Sequence, residues 1–132
     1  MYHHRNEMLR VQVHQKGSSS ANGTSLIDYL DMSYRELVNL FGEPQGESPD
    51  GKVAAEWHLS IFDASSGGNG PEKAFVTIYN YKTGKNYSKD GLDVERIRDW
   101  HVGGKAKADF WALEQYIAQQ RALSDYISLQ NY

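Results

Sequence analysis

Between residues 9 and 13 the apolar side chains Leu9, Val11 and Val13 alternate with Arg10 and Gln12, the period of two expected of a half-buried strand. Residues 17–23 carry too little apolar surface to pack and read as a flexible loop. Ser33 followed by Glu36 has the spacing of a capping box, and Tyr34, Leu37, Val38 and Phe41 then share one helical face. Gly42 supplies a left-handed cap and Pro44 cannot continue the helix, which therefore starts at about 33 and ends at 41 or 42.

From 52 to 62 the odd positions Val53, Ala55, Trp57, Leu59 and Ile61 are apolar, while Glu56, His58 and Ser60 take even ones. That pattern predicts a long strand. A glycine- and serine-rich loop leads to a second strand over 74–82, where Val76 and Ile78 share a face, and the two strands form an antiparallel hairpin. A short strand over 97–102 is broken by Gly103 and Gly104. Ala106, Phe110, Leu113 and Ile117 then mark a second helix from about 105 to 123. Tyr126, Ile127 and Leu129 in the tail, 124–132, are expected to dock on the domain or on a second copy in a homodimer. The predicted fold is α+β: an antiparallel sheet of three to four strands with two amphipathic helices packed on one face, the other face open.

A length of 132 residues makes this a single domain, and 39% hydrophobic residues with 12% aromatics are enough for a core. The absence of cysteine excludes disulfides, thiolate metal sites and a cysteine nucleophile. No apolar run reaches the roughly 18 residues of a membrane span, and the first residues lack a signal-peptide core, so the expectation is a cytoplasmic protein with no membrane partner. Although the net charge is -3, residues 73–107 hold eight basic and four acidic side chains. That local excess favours an anionic ligand.

Two segments carry candidate chemistry. In the first, Trp100, His101, Gly103, Gly104 and Lys105 combine a strand end, two glycines and a helix start, where free N–H groups and the helix dipole favour an anion. Lys105 and Lys107 add positive charge and Trp100 a stacking surface. The plain alternative is a tight turn with Trp100 in the core. In the second, Tyr79 and Tyr81 share a face beside Lys82, forming a platform for a base or a partner protein, or simply a cover for the sheet. A metal held by His58 and His101 with Glu56 and Asp99 is discounted, because no helical histidine pair is present. No cofactor and no catalytic set is expected; no Gly-x-Ser-x-Gly elbow appears.

The ordered set Gly23-Thr24-Ser25-Leu26, Phe41-Gly42-Glu43-Pro44, Glu56-Trp57, Val76 through Lys82 and Asp99 through Gly104 resembles a small family of uncharacterised proteins encoded by bacteriophages and prophages. The likeness spans residues 23–105. By analogy it implies an accessory protein that blunts host defence in an infected bacterium. A helix ending in Gly-x-Pro before antiparallel strands is also similar to inhibitor folds related to the β-lactamase inhibitor protein, which favours protein binding. The leading expectation is a non-enzymatic protein that sequesters a nucleotide signal of host immunity. The alternative is an inhibitor docking on a host defence protein such as a CRISPR nuclease, and a phosphodiesterase using His58 or His101 stands third.

Overall fold

The computed structural model describes residues 8–14, 23–64 and 70–130. Strands β1 (Leu9–His14), β2 (Ser25–Asp31), β3 (Glu56–Asp63), β4 (Glu72–Tyr79) and β5 (Asp99–Gly104) form one sheet in the order β1-β3-β4-β5-β2. Every pairing is antiparallel. Helices α1 (Tyr34–Phe41) and α2 (Lys107–Gln130) share one apolar core against one face of the sheet, as the amphipathic patterns require.

The alternation along β3 sends Trp57, Leu59 and Ile61 into that core, opposite Ile78, Val76 and Ala74 of β4. Trp100 and Val102 of β5 join them. The two indoles meet edge-on, 5.5 Å between centroids. Their N–H groups then fasten α1 at both ends: Trp57 Nε1 donates to the Gly42 carbonyl at 2.8 Å, and Trp100 Nε1 to the Met32 carbonyl at 3.0 Å. Ser33 caps the helix as its spacing predicts, accepting from the Glu36 amide at 3.0 Å. Glu36 does not complete the box, because its carboxylate takes two hydrogen bonds from Arg121 of α2.

The sheet has five strands rather than three or four. The unanticipated one is β2, whose pairing with β5 slips between Leu26 and Asp28. That bulge breaks the period of two, so Leu26, Ile27, Tyr29 and Leu30 never alternate cleanly. β5 also does not stop at its glycines. Gly103 lies opposite Thr77 on one side and Leu26 on the other, and Gly104 opposite Ser25. β4 in turn ends at Tyr79 rather than Lys82, since Asn80 turns inward and its side-chain oxygen accepts from the Ala54 and Ala55 amides.

α2 runs past the expected end at 123, to Gln130. Its buried residues, Phe110, Ala112, Leu113 and Ile117, lie in the first half, and residues 121–130 are all exposed. The tail through 130 therefore extends the helix and is not buried against the described residues of the domain. Residues 131–132, and residues 17–22 of the expected loop, lie outside the described residues.

Candidate functional site

The alternation that buries the tryptophans puts a second set of side chains on the opposite face. One row crosses four strands there: Glu56 of β3 lies opposite Tyr79 of β4, Tyr79 opposite His101 of β5, and His101 opposite Tyr29 of β2. Just beyond the end of β4, Tyr81 reaches back toward the same imidazole. The centroid distances from His101 are 5.0 Å to Tyr29, 5.4 Å to Tyr79 and 5.9 Å to Tyr81. Three tyrosines thus surround one histidine. Tyr29 is 54% and Tyr81 40% exposed, so broad aromatic area faces solvent.

Beside this cluster lies a depression of about 250 Å³, lined in part by Ser25, Glu56, Thr77, Tyr79, Tyr81 and Gly103. Gly103 forms its floor: a Cβ there would come within 2.5 Å of Thr77 Oγ1 and 3.6 Å of Tyr79 Cε1. Glu56 is the one charged residue among the described residues lining it. Burial pushes the Tyr79 phenol above its ordinary pKa, and the negative charge of Glu56 adds to the shift. Lys82, with a left-handed backbone (φ 63°), holds its ammonium 5.1 Å from the Tyr81 ring centroid and 5.7 Å from that of Tyr87.

Polar groups continue along the face toward β1. His58 Nε2 donates to Glu56 Oε1 at 2.9 Å, while Nδ1 of this buried ring has no partner among the described residues. Ser60 donates its hydroxyl hydrogen to Glu72 Oε2 at 2.6 Å, which leaves His14 Nε2, also 2.6 Å away, to act as donor to Ser60 Oγ. A nucleophilic serine needs a histidine that accepts its proton. This serine, 1% exposed, is hydrogen-bonded the other way round.

Of the residues singled out in the sequence, Tyr79, Tyr81, His101 and Gly103 come together on this face, with Lys82 at its margin. Trp100 does not join them. It is fully buried between the sheet and α1, so it offers no ring face to a ligand, and the stacking role expected of it is corrected. The anion site expected at Gly104 and Lys105 is corrected too. The backbone N–H groups of Lys105 and Ala106 donate to Asp109 Oδ2 at 2.9 and 3.2 Å, so the protein's own carboxylate occupies the start of α2. Gly104 is buried against Ile27 and Asp109, and the Lys105 side chain points to solvent.

The basic excess of 73–107 is likewise reduced by pairing. Lys107 bonds Asp28 and the Ile27 carbonyl, and Arg98 meets Asp31 at 3.2 Å, both carboxylates lying outside that window. Sequence reasoning missed the site residues Tyr29 and Ser25, because their strand was hidden by the bulge, and it weighed Glu56 only as a metal ligand. The aromatic and aliphatic content of 26–30 was the available signal. Among the described residues no group of three or more His, Asp or Glu side chains is placed to hold a metal ion, and no helix is long and apolar enough to cross a membrane. Comparison with protein-family models, curated proteins and solved structures gives no match.

Proposed function

We propose that this is a non-enzymatic binding protein whose working surface is the aromatic sheet face, and that its partner is another protein. The observation that carries the reading is the cluster of Tyr29, Tyr79 and Tyr81 around His101, displayed on the sheet with two of its rings broadly exposed. Tyrosines of this kind supply large contact area at small entropic cost and are enriched among the residues that dominate protein interfaces. The serine–histidine geometry gives no support to catalysis.

Sequestration of a nucleotide signal is favoured less. Its phosphates would need the helix-start amides that Asp109 already fills, and the depression beside the rings presents a carboxylate. At about 250 Å³ that depression is also smaller than the roughly 300–1,000 Å³ typical of small-molecule sites. The resemblance to phage-encoded proteins directs the search for a partner to host defence effectors. A homodimer is a separate expectation, supported by the exposed Leu123, Tyr126, Ile127 and Leu129 of α2.

Selection of a displayed random-peptide library against the protein tests the reading. Peptides that bind saturably should lose about tenfold or more in affinity with Tyr29→Ala or Tyr81→Ala, each an exposed ring that the fold does not need. They should be indifferent to Trp111→Ala on α2. Peptides insensitive to both tyrosines, or a nucleotide bound intact in calorimetry and lost with Tyr81→Ala, would contradict it.

A further inference from the structure

We propose that the depression beside Tyr79 and Tyr81 is a subsite for a guanidinium group, the side-chain end of an arginine presented by the partner; this inference rests on the protein-docking reading and deepens it.

The charge of the site selects the ligand class. Glu56 brings a carboxylate to a wall whose other described residues supply tyrosine rings, hydroxyls, Val53 and the glycine floor. His58, only 7% exposed, holds that carboxylate through Oε1, and a carboxylate has acceptor capacity beyond this one bond. An anionic group would meet like charge there. An apolar group would strip water from the carboxylate without replacing its hydrogen bonds, a cost that a docking surface cannot recover by packing alone. A cation instead gains twice, from the carboxylate and from the electron-rich faces of the rings. The Lys82 ammonium already lies 5.1 Å from the Tyr81 ring centroid, so the main attraction for a second cation comes from Glu56 and the Tyr79 side of the depression.

Shape separates the two cationic side chains. A guanidinium is planar, stacks on aromatic rings and directs five N–H donors in its plane, and the hydroxyl of Ser25, the phenol of Tyr79 and the carboxylate of Glu56 among the lining residues are acceptors for them. An ammonium is a strongly hydrated point charge and uses a shallow aromatic wall less well. A volume of about 250 Å³ suits the end of a side chain anchored elsewhere on a larger surface.

The probes are N-acetyl-arginine amide and N-acetyl-citrulline amide, which share a shape but differ in charge, titrated at low salt while the tyrosine ring signals are followed by NMR. Arginine amide should shift the Tyr79 and Tyr81 signals saturably and citrulline amide should not. Glu56→Gln, which keeps an acceptor for His58, should weaken arginine binding by about tenfold, the loss of one charge-assisted bond. Tyr81→Ala, at an exposed ring, should weaken it as well in a protein whose melting curve is unchanged. No shift with arginine, equal shifts with citrulline, or indifference to both substitutions would overturn the subsite. If arginine fails while selected peptides still require Tyr29 and Tyr81, the subsite alone is wrong; if those peptides are indifferent to both tyrosines, the docking reading itself falls.

Discussion

Trp57 shows how a single residue serves both faces of the sheet. Its indole fills the core against Trp100 and Tyr34 and holds the end of α1 through Gly42, while its neighbours Glu56 and His58 point to the opposite surface. Trp57→Ala should therefore cost about 3–5 kcal/mol in urea unfolding, since it leaves a large cavity and an unpaired carbonyl. A loss under 1 kcal/mol would contradict the packing described. Asp28 gives a second test. A hydrogen bond from Lys107, helped by the Tyr29 amide, holds its carboxyl below the usual carboxylate range. Its folded-state pKa is depressed, so the contribution to stability is present above the unfolded value of about 3.9 and lost as pH falls through the folded one. Carboxyl NMR should find Asp28 titrating below that value and Lys107→Met should move it back up; an ordinary titration in the wild type would break the assigned pair. Lys105→Glu, which would abolish an anion site at the glycine turn, should change neither folding nor binding measurably, because Asp109 serves those amides.

Among the elements, β5 is where local reading and tertiary context diverge most. Glycine weakens an isolated strand, so two in succession look like a break. Here the strand continues because its neighbours leave no room for a side chain: at Gly103 the nearest obstacle is Thr77 Oγ1, itself buried. Gly103→Ala should lower stability by about 1–3 kcal/mol through forced repacking and also weaken peptide binding, as Thr77 and Tyr79 shift. An alanine accommodated with neither effect would show that the close approach is not needed. The β3–β4 hairpin and α1 were legible, because alternation and capping are local signals carried by Trp57 to Ile61 and by Ser33. β2 was not, since a bulge erased its period. The core position of Trp100 was one of the two readings its segment allowed, and it holds; the strand pattern alone does not choose between them, because it does not say which face the helices cover. The glycine turn resembles an anion site for a related reason: its amides do bind a carboxylate, that of Asp109 four residues beyond Lys105. Tyr79, Tyr81 and His101 could be named individually, but only the register of β4, β5 and β2 makes them a cluster.

For the molecule as a whole, the division into a helix-covered face and an aromatic face predicts its response to alkali. Burial raises the phenols of Tyr34, Tyr79 and Tyr116 above their ordinary values. The fold favours their neutral forms, so this stability is complete below the unfolded value of about 10 and declines as pH rises through the folded values. Melting temperature should accordingly fall above about pH 10, and a flat profile there would mean that these rings are not buried as described. The most direct test of the central claim is a backbone amide shift map of the labelled protein titrated with a peptide from the library selection. The account predicts that the largest shifts trace the row Glu56, Tyr79, His101 and Tyr29, with Tyr81 and Gly103, and leave residues 111–127 of α2 unmoved. Shifts confined to α2, with that row silent, would contradict it.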